Sequence, residues 1–162
     1  MWDTKPKTVE TYRAWVLNFG KGLRAAVSFN EMSQVILEPS LFVLPNTPRY
    51  CYQLYLRNHV YLPVMHIPSL LTAGKESTSR ITYFLGLTVY QTEAYAPLKY
   101  GCLHLESLPV AVDISNAQSC TLPEDQPLWQ MIAISAFSYE NQKIPVLDLA
   151  ALFSAELRQE VS

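Results

Sequence analysis

The stretch LPVMHIPSLL, residues 62 to 71, is nearly repeated by IPVLDLAALF, residues 144 to 153. With Pro63 set against Pro145, 82 residues later (145 − 63), both run apolar, Pro, Val, apolar, polar, apolar, two small or turn-forming positions, Leu, apolar. A phrase repeated at long period marks two like structural units, and it narrows the fold more than any local propensity. Each unit is too short to bury a good core alone, so the two must pack together.

The rest of the chain reads as strands around turns. In RAWVLNF, Trp15, Leu17 and Phe19 alternate onto one side. After GKG, Leu23, Ala25, Val27 and Phe29 do the same, with Arg24 and Ser28 opposite, which predicts a hairpin. Asn30 is placed to cap a short helical turn through EMSQ, ahead of the apolar VIL. Pro39, Pro45 and Pro48 make EPSLFVLPNTP a loop. CYQLYLRNHVYLPVMHI predicts a second hairpin turning near Arg57, Asn58 and His59, since Asn tolerates positive φ. Pro68 suits the first turn of a short helix, PSLL.

The polar TAGKESTS is the natural seam between two approximate subdomains, 11–72 and 80–148. Beyond it, ITYFLGLTVYQ reads as strand, TEAYAPLKYG as loop, CLHLESLPVAVDI as strand broken near Pro109, and SNAQSCTLPEDQP as loop. MIAISAFSY, ENQ and KIPVLDL make a last hairpin. Leu149, Leu152, Phe153 and Leu157 stand at helical spacing, predicting an amphipathic C-terminal helix over 149–160. The expected fold class is all-β with short helices: two small β-barrels sharing a core, closed by that helix.

Composition excludes several classes of function. The opening MWDTKPKTVE has no apolar h-region, and no apolar run approaches the roughly 20 residues of a bilayer span, so the chain is expected in the cytoplasm. Cys51, Cys102 and Cys120 are odd in number and lack CxxC spacing, as buried reduced thiols would. A net charge of −2 argues against nucleic acid as a partner. Charge is unevenly spread: residues 1–80 hold 9 Lys/Arg and 5 Asp/Glu (9 − 5 = +4), residues 81–162 hold 3 and 9 (3 − 9 = −6). That is either an uneven solvated surface or two ends with complementary fields.

Catalytic motifs are weak. His59, His66 and His104 are the only imidazoles, and no GxSxG or Gly-rich phosphate loop accompanies them. His104 and Glu106, on one strand face beside Cys102, are the best metal or thiol-enzyme candidates, though a structural metal site wants four ligands. Asp148 is read as the cap of the helix beginning near Leu149. No cofactor is expected.

Taken in order, AWVLNF, NEMSQV, LPNTPRY, LYLRN, LPVMHIPSLL and IPVLDLAALF resemble the CheW-like domain of bacterial chemosensory systems over roughly the whole chain. His66 stands where that family often has Asp, and residues 88–108 fit its pattern poorly. The resemblance implies two intertwined SH3-like five-stranded barrels with a shared core. It implies a non-enzymatic adaptor coupling a CheA-type histidine kinase, through its regulatory domain, to the cytoplasmic tips of chemoreceptors. Some such proteins serve pilus-based twitching motility instead of flagella. Met32, Gln34, Arg57 and Asn58 match positions that face partners in that family; by themselves they read as core filler, a solvated side chain and a hairpin tip. The rival readings are a small barrel enzyme using Cys102, His104 and Glu106, and a stand-alone module for a peptide or small ligand.

Overall fold

A computed structural model describes residues 10–72 and 82–154. The strands are β1 (Thr11–Gly20), β2 (Leu23–Ser28), β3 (Met32–Leu37), β4 (Leu41–Val43), β5 (Gln53–Arg57), β6 (Val60–Met65), β7 (Phe84–Tyr90), β8 (Lys99–Leu105), β9 (Val110–Ser115), β10 (Ser119–Cys120), β11 (Ala133–Tyr139) and β12 (Gln142–Leu147). Three short helices punctuate them: α1 (Ile67–Leu71), α2 (Trp129–Ile132) and α3 (Leu149–Leu152). One six-stranded sheet, here sheet A, runs β10-β11-β12-β2-β1-β9; the other, sheet B, runs β3-β7-β8-β6-β5-β4.

The repeated phrase is structurally real. Residues 62–71 end β6 and form α1, while residues 144–153 end β12 and form α3, one in each sheet. Both strands then make a parallel contact, Val64 with Cys102 in β8 and Val146 with Ala26 in β2. Both hairpins before them turn on two residues with positive φ, Asn58 and His59 (48° and 66°) and Glu140 and Asn141 (49° and 61°). These are the conformations that join strands with matching twist.

Written as ladders, the two sheets correspond strand for strand, β1-β2 to β7-β8, β9 to β3, and β10-β11-β12 to β4-β5-β6. The correspondence reveals an exchange. Hairpin β1-β2 opens the chain yet pairs with β12 and β9 near its end, and β3 crosses to pair with β7. Sheet membership therefore cuts across the halves 11–72 and 80–148, because β1 and β2 satisfy their edges with late strands instead of the adjacent β3. Most of the seam TAGKESTS lies outside the described residues.

Each sheet alternates between two cores, as period-2 side chains must. Leu17, Phe19, Ala25 and Val27 of sheet A face Met65, Leu103 and Leu105 of sheet B across a shared core. Trp129 and Ile132 of α2, Leu149 and Leu152 of α3, and Ile67 and Leu70 of α1 plug the same space. The opposite faces curl around private cores: Ala14, Val16, Ala26, Phe137 and Ile144 in barrel A, and Leu62, Val64, Leu85, Leu87 and Cys102 in barrel B.

Several local expectations change. Each barrel has six strands, not five, because the segment read as a loop supplies β4 opposite Leu54, and SNAQSC supplies the two-residue β10. The helical turn falls at Phe29–Glu31, not through EMSQ: Ser28 and Glu31 form a capping box, which ends the turn before Met32. Phe29 accordingly leaves the β2 face and stacks on Trp15 at 5.2 Å. Trp129–Ile132, with Met131 read as strand, is helical. Asp148 does cap α3, its Oδ1 accepting from Ala151 N at 3.2 Å. Leu149 and Leu152 are buried and Phe153 packs against the shared core, while Leu157 and the rest of the expected helix 149–160 lie outside the described residues.

Candidate partner-binding site

Met32 opens β3 opposite Thr88, half-buried, with its thioether over Gly86: a Cβ there would stand 3.2 Å from Met32 Cε. It is an edge piece of the shared core before it is a contact residue. A register shift between Met32 and Gln34 turns the exposed Gln34 opposite Leu87. Arg57 ends β5 with its guanidinium 4.5 Å above the Tyr100 ring, covering the open end of barrel B's private core. Asn58 begins the two-residue turn and is exposed. The register sets all four towards one end of sheet B, since Thr88 pairs with Gly101, the neighbour of Tyr100. Strands β7, β8 and β6 separate the β3 pair from the β5 pair, so they flank a surface and do not touch.

One exposed apolar face was not legible in the sequence. Phe42 and Tyr61 meet edge to face at 5.5 Å, Leu54 lies opposite both Phe42 and Pro63, and Leu56 lies opposite Tyr61. Phe42, Leu56 and Tyr61 remain 48%, 40% and 55% exposed, well above core values. The available signal was the alternation in Leu41-Phe42-Val43, which the surrounding prolines obscured.

The enzyme candidates do not assemble into a reactive site. Cys102 is fully buried in barrel B's private core, and burial pushes its thiol up to about 12, which leaves it protonated at neutral pH. Glu106 lies past the end of β8 and is exposed, whereas His104 is buried. His104 instead joins a polar stack: its ring lies 4.7 Å from that of His66, which lies 5.0 Å from Tyr52. His66 Nε2 donates to Gln53 Oε1 at 2.8 Å, which leaves Nδ1 as the bare nitrogen, and Thr82 Oγ1 meets His104 Nδ1 at 3.0 Å. Burial and the neighbouring ring lower His66 to about 3, and burial lowers His104. Two neutral rings locked in a core are structural material. No group of three or more potential metal ligands occurs among the described residues. Nor is any described helix long and apolar enough to cross a membrane.

With two interlocked barrels around a shared core, the chain can be set beside solved structures. Its backbone superposes on the scaffolding protein TtCheW from Thermoanaerobacter tengcongensis with a TM-score of 0.67, covering 90% of this chain and 95% of that one at 11% identity. The fold is CheW-like. No protein-family model and no curated relative matches the sequence. The CheW-like likeness extends over nearly the whole chain, not one barrel alone. At this identity it is a likeness of backbone, and the surface that would meet partners is this chain's own.

Proposed function

We propose that this protein is a non-enzymatic adaptor of the CheW kind, working in the cytoplasm between a CheA-type histidine kinase and chemoreceptor tips, in a flagellar or a pilus-based system. The observation that carries this reading is the superposition of nearly the whole chain on a scaffolding protein. The burial and protonation of Cys102 count against the thiol-enzyme alternative. Partner contact is assigned to the end of sheet B bearing Gln34, Arg57 and Asn58, with Met32 supporting β3 from beneath. Exposed apolar side chains must supply most of the affinity there, because rim charges are individually worth little.

The test is titration of the purified protein against a kinase regulatory domain and against a receptor-tip fragment. Gln34→Arg and Asn58→Asp alter exposed positions, so both should fold and bind one partner at least tenfold more weakly. Wild-type affinity in both variants would remove this surface; no binding of wild type to either partner would remove the adaptor reading itself. Met32→Arg is unsuitable as a probe, since it places a charge against Gly86 and Leu105.

A further inference from the structure

Barrel A opens into a pocket of about 270 Å³, walled by Ala14, Ile114, Ala136, Phe137 and Val146 and rimmed by hydroxyls including those of the exposed Ser28 and Ser135. The ladder correspondence explains why it is there. Val146 pairs with Ala26 as Val64 pairs with Cys102, so Ala26 and Cys102 are equivalent. Two residues along each strand, Ser28 stands where barrel B has His104. Val16 pairs with Ala26 and Leu87 with Cys102, so Ala14 stands where barrel B has Leu85. Ser135 pairs with Val146 as Gln53 pairs with Val64. Three positions that barrel B fills with isobutyl, amide and imidazole groups are thus all truncated around one volume.

Scattered substitutions would leave scattered small voids, whereas protein interiors otherwise pack to crystal density. These three changes line a single opening. An apolar cavity of about 150 Å³ already takes up benzene, so this one has room for a ring with a substituent or a fused pair. Short walls at Ala14, Ala136 and Val146 facing Phe137 suit a flat molecule, and the serine hydroxyls offer both donors and acceptors. Arg13 is the only charged lining residue, and its guanidinium is engaged by Asp113 at 3.6 Å and by the Phe29 ring at 5.2 Å. The rim therefore favours an uncharged occupant.

We propose that this cavity is a binding site for a small, uncharged, planar molecule with one hydrogen-bonding edge, of the size of indole or p-cresol. It lies in the barrel opposite to the assigned partner surface and does not depend on the adaptor reading. The test uses the full chain with labelled methyl groups, titrated with indole and followed by nuclear magnetic resonance. Indole should shift the Ala14, Ala136 and Val146 methyls saturably, leaving Leu85 and Leu87 of barrel B unmoved. Ala14→Leu restores the side chain that barrel B carries, so it should abolish those shifts while melting at or above the wild-type temperature. Unmoved methyls in the wild type would overturn the proposal. So would equal shifts in Ala14→Leu, or a fall in its melting temperature of about 5 °C or more, which would show that the volume is not available.

Discussion

The same backbone plan built both barrels, but barrel B places large side chains where barrel A has small ones beside an open pocket. Leu85, Leu87 and Cys102 crowd the centre of one, where Ala14, Val16 and Ala26 line the other. What the two retain in common is the framework: paired positive-φ turns, a proline in the closing strand, and a short helix after it. Even a side-chain pair is kept while its members trade places. Arg24 lies over Tyr139 at 5.4 Å in barrel A, and in barrel B the equivalent positions hold Tyr100 under Arg57. Packing two like units therefore requires matching ladders and helix starts, whereas private cores are free to diverge.

The largest effect should come from truncating the large side chains of barrel B. Leu85 is fully buried, and Leu85→Ala should cost about 2–5 kcal/mol in equilibrium urea unfolding. A cost below about 1 kcal/mol would mean that barrel B collapses around the hole and that the contrast with barrel A is superficial. Acid should act on the same barrel. His66 titrates near 3 in the folded protein and near its ordinary 6.5 when unfolded, so below 6.5 the unfolded chain takes a proton that the fold refuses. Stability should fall as pH drops from 6.5 towards 3, by about 2 kcal/mol at pH 5 from His66 alone. His66→Asn should flatten that slope in unfolding measured at pH 7 and 5; an unchanged slope would exclude His66 as its source.

Gly101 tests the helices. A Cβ there would collide with the Phe153 ring, whereas the equivalent position in sheet A is Ala25. Gly101→Ala should cost about 1–3 kcal/mol and recover when combined with Phe153→Leu. Additive losses in the double variant would place the strain elsewhere. The smallest expected effect is the exchanged pair. Arg57→Tyr or Tyr100→Arg alone should lose about 0.5–1 kcal/mol, and the two together should restore the wild-type value, as a double-mutant cycle would show.

How far the sequence discloses this molecule depends on the range of each interaction. The hairpins at Asn58 and Asn141 and the cap at Asp148 are set by neighbours a few residues apart, and alternation around Leu17 and Val27 displays their face directly. The strand β4 was hidden because Pro39 and Pro45 crowd a segment of only three ladder residues. Asn30 looked like the cap because Ser28 and Asn30 are both good cap formers, and only the reach of Glu31 back to Ser28 N decides between them. The exchange of β1-β2 and the stacking of His66 on His104 depend on strand neighbours that no local pattern encodes. The cavity is farther still from view, because it is defined by what Ser28, Ser135 and Ala14 lack relative to partners in another sheet. Of the candidate contact residues, the sequence by itself read Met32 as core filler and Gln34 and Asn58 as surface, as found, but no local pattern showed the Arg57 guanidinium packed over Tyr100.

The exchanged strands also set an order in time. Sheet B is one continuous length of chain, residues 32 to 105, and can close as soon as β8 leaves the ribosome. Hairpin β1-β2, made first, must wait for β12: Ala26 meets Val146 across 120 residues (146 − 26). Closing so long a loop is slow and entropically costly, and until then Leu17, Phe19, Ala25 and Val27 have only half of their core to cover them. Nascent chains stopped after β8 should therefore carry a formed barrel B beside an apolar hairpin that is a target for chaperones.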